Sequence, residues 1–127
     1  MKRKWVFAIK QEILIVDDQP GIRLLLKDVF TNEGYDVVLA HTGMDALEKI
    51  YKYSFDLVML DYRLPILNGD EILRKMIKRE IIVPVILMSG LIEKIQEDFM
   101  EENMTIEIVA KPFNLIEIIE LVKSMIN

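Results

Sequence analysis

The chain has 127 residues, 52% of them apolar and 29% charged, which suits one compact domain with its own core and excludes intrinsic disorder. It contains no cysteine, so disulfides, thiolate metal sites and thiol nucleophiles are excluded together. The 16 basic and 21 acidic residues leave a net charge of −5, which lacks the basic footprint of a protein that binds DNA or RNA directly.

The opening Met1-Lys2-Arg3-Lys4, followed by Trp5-Val6-Phe7-Ala8-Ile9, looks like the start of a secretion signal. Its apolar part is too short, however, and no small-residue cleavage site follows. Residues 1–11 are therefore expected to form an N-terminal extension, and the cytoplasm is the expected location. The longest mostly apolar stretch, Ile81 to Met88, is broken by Pro84 and is far shorter than a membrane span, so no membrane insertion is expected.

From residue 12 onward, two kinds of apolar pattern alternate. Ile13-Leu14-Ile15-Val16, stopped by Asp17-Asp18, reads as a strand buried on both faces. Placed at about 100° per residue, Pro20 to Phe30 gathers Ile22, Leu25, Leu26, Val29 and Phe30 on one arc. Pro20 suits a first helical turn, and Gly34 stops the helix. Asp36 to Ala40 is a weaker strand, and Asp45 to Tyr53 a helix burying Ala46, Leu47 and Ile50. Asp56 to Asp61 repeats the first strand's pattern. Asp70 to Lys78 is a helix with Ile72, Leu73, Met76 and Ile77 on its apolar side. Val83 to Met88 is a strand, Ile92 to Glu102 an acidic and loosely periodic helix, and Thr105 to Val109 a strand. Leu115 to Ile126 closes the chain as a helix, with Asn114 as N-cap and Glu117 three residues on.

Five strands alternating with five helices, with no long linker, predict one α/β domain over residues 12–127. The expected architecture is a doubly wound parallel sheet covered on both faces, with strands one, three and four central. Ligands of such sheets bind beyond the carboxyl ends of the strands. The residues at those ends are Asp17 and Asp18, then Asp61, then Ser89-Gly90, then Lys111-Pro112. Taken singly, an aspartate there is a turn former or a cap, and a lysine a solvated charge. Converging on one rim, three carboxylates repel one another, and a hard divalent cation relieves that repulsion. Oxygen-only ligands suit Mg²⁺. A free carboxylate beside such a cation can attack phosphorus, while the cation and Lys111 offset charge on the phosphoryl oxygens.

The ordered set Ile13-Leu14-Ile15-Val16-Asp17-Asp18, Asp56-Leu57-Val58-Met59-Leu60-Asp61, Leu64-Pro65 with Asn68-Gly69, Met88-Ser89-Gly90 and Ala110-Lys111-Pro112-Phe113 resembles the receiver domain of two-component response regulators. Val16 to Arg23, together with Asn32-Glu33-Gly34-Tyr35, resembles more closely the stand-alone receivers that relay phosphate in sporulation. The resemblance implies strand order 2-1-3-4-5, in a flavodoxin-like fold. It implies Asp61 as phosphoacceptor, Asp18 as a direct Mg²⁺ ligand, Asp17 as a ligand mainly through water, and the backbone carbonyl of Arg63 as a further ligand. Ser89 would donate its hydroxyl to a phosphoryl oxygen, and Lys111 would form the ion pair that reports occupancy. A cis Lys111-Pro112 bond belongs to the same pattern.

The implied function is a single-domain response regulator, no enzyme in the ordinary sense. It would take a phosphoryl group from a sensor histidine kinase and relay it to a histidine phosphotransferase. The alternative within the fold is an output protein whose phosphorylated surface binds an effector directly. Ile108 departs from the family, which places an aromatic switch three residues before the lysine. Met104-Thr105 replaces the small pair usual before the fifth strand. An aspartyl phosphatase would need Asp-x-Asp, which Asp61-Tyr62-Arg63 lacks, and a flavin phosphate would be repelled by Asp17-Asp18. Leu24 lies opposite the core arc of the first helix, and with Ile22, Leu25, Pro112 and Phe113 it would form an apolar collar for a partner's helices. Arg63 and Leu91 would crowd the path of an attacking water and slow dephosphorylation.

Overall fold

The computed structural model describes residues 10–90 and 104–126. Residues 1–9 of the expected extension at 1–11, the expected helix Ile92 to Glu102, and Leu91 lie outside the described residues. The elements run β1 (Glu12–Val16), α1 (Pro20–Asn32), β2 (Asp36–Ala40), α2 (Gly43–Lys52), β3 (Leu57–Asp61), α3 (Gly69–Lys78), β4 (Val85–Ser89), β5 (Ile106–Ala110) and α4 (Leu115–Ile126). The strands form one parallel sheet in the order β2-β1-β3-β4-β5, as the resemblance implied.

The central strands β1, β3 and β4 are the ones without alternation. β3 and β4 are buried throughout, and β1 is buried after its first residue. The period-2 geometry of a strand sends successive side chains to opposite faces, so each strand feeds two cores. Ile13, Ile15, Leu57, Met59, Ile86 and Met88 join Leu26 and Phe30 of α1 and Ile118 and Val122 of α4. Leu14, Val16, Val58, Leu60, Val85 and Leu87 join Ala46 and Ile50 of α2 and Ile72 and Met76 of α3. Each such side chain contributes about 1.5–3 kcal/mol by leaving water. Among the described residues, α1 and α4 therefore cover one face and α2 and α3 the other, as parallel crossover connections require. Among the described residues no helix is long and apolar enough to cross a membrane.

Helix boundaries follow local chemistry. Both α2 and α3 begin earlier than periodicity alone suggests, because the residue before each glycine caps it. Thr42 Oγ1 accepts the Asp45 amide at 3.0 Å, and the Asn68 amide donates to Glu71 Oε1 at 2.9 Å. At α4, Asn114 Oδ1 accepts the Glu117 amide at 3.0 Å, the expected capping contact. Helix α1 ends with Gly34 at φ 100°, where its amide donates to the Thr31 carbonyl and the Tyr35 amide to that of Phe30, both at 3.0 Å. The Tyr35 and Phe30 rings then meet edge-on, 6.0 Å between centroids, and lock this turn. Helix α3 ends in the same motif with Glu80 in the glycine position, at φ 58°.

One boundary and one side chain differ from expectation for clear reasons. β4 starts at Val85 because Pro84 has no amide to give the ladder, although its carbonyl accepts the Val58 amide at 3.0 Å. On α1, Leu25 is 44% exposed and does not join the core arc. It stands about 100° from Leu26, the centre of the buried face, beyond the reach of the sheet.

Candidate functional site

The parallel sheet brings the carboxyl ends of β1, β3, β4 and β5 to one rim. Asp17 and Asp18 follow β1, Asp61 and Ser89 are the last residues of β3 and β4, and Lys111 follows β5. Carboxylate oxygens of Asp17, Asp18 and Asp61 lie within 4.8 Å of one another. An open cleft of about 450 Å³ is lined by Asp18, Asp61, Arg63, Ser89 and Lys111, with Gln19 and Gly90 beside them. Of the residues singled out at the strand ends, Asp17, Asp18, Asp61, Ser89, Gly90 and Lys111 meet at this place, while Pro112 lines a separate cleft with Phe113.

Asp17 is wholly buried, and both its carboxylate oxygens are engaged. The Gln19 amide donates to Oδ1 at 2.9 Å, and the Lys111 ammonium donates to Oδ2 at 2.8 Å. Its backbone carbonyl accepts from Arg23 Nη1 at 2.7 Å. Asp18, one residue on, points to solvent. Lys111 also approaches Asp61 Oδ2 at 3.3 Å. The Lys111-Pro112 peptide is cis, as the resemblance implied.

Burial pushes the Asp61 carboxyl up to about 6, and the negative charge of Asp17 adds to the effect. The Lys111 ammonium and the Arg63 amide pull the other way without restoring the ordinary value. Burial of Lys111 works against its charge, but its hydrogen bond to Asp17 and the field of both carboxylates outweigh this, so its pKa rises. The site thus holds more negative charge than one ammonium offsets. That imbalance, with donors that are all oxygen, suits a hard divalent cation such as Mg²⁺.

Three contributors were not read from the sequence as site residues. Gln19 and Arg23 position Asp17. The signal for Gln19 was its place two residues after an aspartate, an Asx-type turn. For Arg23, its spacing one turn into the helix is the only hint. Gly69 appeared only as part of a motif. A side chain there would meet the Asp61 carbonyl oxygen at 2.6 Å and the Tyr62 Cα at 3.0 Å, so α3 can start this close to β3 only through a glycine. The loop between them is held by the Tyr62 amide on the Met88 carbonyl and the Gly69 amide on the Tyr62 carbonyl, both 2.8 Å.

Residues 13–123 match the family of the response regulator receiver domain. The chain belongs to this family. It is 42% identical over 117 residues to sporulation initiation phosphotransferase F of Bacillus subtilis, covering 91% of this chain and 93% of the relative. Against response regulator RR06 of Streptococcus pneumoniae the identity is 32% over 115 residues; the match covers 91% of this chain and 52% of the relative, so the receiver spans about half of that protein. Among solved structures it is similar to response regulator protein TrrA of Thermotoga maritima, with 34% identity, a TM-score of 0.78, and coverage of 91% of this chain and 98% of the other. Receiver domains take part in two-component signalling as phosphoacceptors.

Proposed function

We propose that this receiver is a cytoplasmic phosphoryl carrier in which Asp61 accepts a phosphoryl group from a histidine kinase and passes it to a histidine phosphotransferase. The carrying observation is the position of Asp61: its carboxylate ends a buried strand, 3.3 Å from the Lys111 ammonium and within 4.8 Å of the two further carboxylates. An Asp61 oxygen attacks phosphorus as the bond to the donor imidazole nitrogen breaks, and that bond's electron pair stays on the nitrogen. The Ser89 hydroxyl donates to one phosphoryl oxygen, and the Lys111 ammonium offsets the charge of another. Asp18, Asp61 and the Arg63 carbonyl would hold Mg²⁺ directly, with Asp17 acting mainly through water because both its oxygens already accept protein donors. Bound Mg²⁺ supplies positive charge for the phosphoryl oxygens. The TrrA structure contains Mg²⁺ and BeF, which supports carrying this ligand class over.

Similarity to a sporulation phosphotransferase favours relay over direct output. Ile108 favours it too: the side chain is partly buried against the cluster that contains Leu87 and Val85, with no ring to swing between two positions. The N-terminal residues 1–11 are assigned to an extension of the receiver at 12–127. Incubation with acetyl phosphate and Mg²⁺, followed by mapping of the acid-labile adduct, tests the reading. Label on Asp61 that disappears in Asp61→Asn is the expected result. Label retained by that variant overturns it, and phosphorylation-dependent capture of a non-kinase target in place of onward transfer favours the output protein.

A further inference from the structure

The loop from Asp61 to α3 contains an isoleucine in a place that suits almost any other residue better. Leu64 and Leu67 are both buried in the core cluster, and they anchor the loop on either side of Pro65-Ile66. The Leu67 amide donates to the Pro65 carbonyl at 2.7 Å, closing a three-residue turn centred on Ile66. Ile66 has φ 70°, the strained hand of that turn, where a β-branched side chain crowds its own backbone. The strain brings no packing in return, because Ile66 is 96% exposed. Glycine or asparagine would take this backbone at lower cost. Beside this loop, Gly43 of α2 rests on the Leu67 backbone, and the next residue in the chain, Met44, is 63% exposed.

We propose that Ile66 is a docking residue for a phosphohistidine-bearing protein, held out by the strained turn so that it contacts the partner during transfer to Asp61. This rests on the phosphoacceptor reading given above. The occupant follows from the position of the acceptor. Asp61 is only 6% exposed at the base of the cleft, so a histidine that delivers phosphorus to it must bring its protein down onto the surrounding loops. The loop bearing Ile66 begins at Asp61 itself. Small donors enter the cleft without touching Ile66, so the residue selects among protein partners and leaves the chemistry alone.

The test labels the wild type, Ile66→Asn, Ile66→Gly and Ile66→Leu with two donors. One is acetyl phosphate with Mg²⁺; the other is whichever phosphorylated histidine kinase of the source organism labels the wild type fastest. Ile66→Asn and Ile66→Gly should melt at or above the wild-type temperature and keep their acetyl phosphate rates within about twofold. They should lose about tenfold or more with the kinase, the worth of one buried aliphatic contact. Ile66→Leu, which restores the apolar contact, should keep most of the kinase rate. Wild-type kinase rates in the asparagine and glycine variants overturn the proposal, and so does equal loss with both donors. A wild type that acetyl phosphate does not label at Asp61 would instead remove the phosphoacceptor reading, and the docking role with it.

Discussion

The Lys111 ammonium lies 2.8 Å from Asp17 and 3.3 Å from Asp61, so it is anchored on the buried carboxylate and reaches the acceptor from there. Lys111→Ala should therefore do two things. It should leave Asp17 buried without its cation, destabilising the metal-free fold by about 1–3 kcal/mol in urea unfolding. It should also impair phosphotransfer. Asp17→Asn should recover part of the lost stability in the double variant, because the unpaired charge is then gone. Additive effects of the two substitutions would contradict the anchoring.

Metal-free stability should depend on pH through Asp61. Its folded pKa, about 6, lies above the ordinary 3.8, so the folded chain holds a proton that the unfolded chain has released across this interval. Stability contributed by the neutral acid is present at low pH and is lost as pH rises through about 6. The melting temperature of the wild type should fall across that window, and the slope should flatten in Asp61→Asn. Mg²⁺ should counter the fall, by about 2.7 kcal/mol at a hundred times its Kd. Asp18→Ala should stabilise the metal-free protein and abolish the Mg²⁺ response. A thermal melt indifferent to both pH and Mg²⁺ would refute the charge argument.

Gly69→Ala should cost roughly 1–3 kcal/mol, since its methyl would meet backbone of β3 and Tyr62, which cannot yield as a side-chain tip can. The shift falls on Asp61, so labelling by acetyl phosphate should slow even at temperatures where the variant stays folded. Wild-type labelling in a folded Gly69→Ala would show that Asp61 tolerates the displacement.

Leu24 is 55% exposed and Leu25 44%, which leaves a two-residue apolar edge on α1 beside the cleft-facing end of β1. Leu24→Ser should slow transfer from a kinase several-fold and leave acetyl phosphate labelling and the melting temperature unchanged. A variant slowed equally with both donors would mean that α1 is not a docking face.

Arg63 is exposed and lines the cleft, two residues beyond Asp61. Arg63→Asn should lose its phosphoryl group several-fold faster than the wild type in Mg²⁺, because the smaller amide both opens the path and can hold the water. Slower loss in the variant would show that the guanidinium promotes hydrolysis.

The sequence alone determined the layers of the fold and the composition of the site. Uninterrupted apolar runs mark β1, β3 and β4 as doubly covered strands, and the residues ending them are the carboxylates, hydroxyl and lysine of the rim. These features are legible because a parallel sheet uses the same end of every strand, so a list of strand ends is already a list of neighbours. Tertiary structure decided what depends on approach between distant segments. It placed Leu25 outside the core, made Gly69 indispensable to the position of Asp61, and gave the Lys111 ammonium to Asp17 first. It also put Ile66 at positive φ, which no propensity would suggest, because Leu64 and Leu67 are pinned in the core on either side and leave the backbone between them one way to turn.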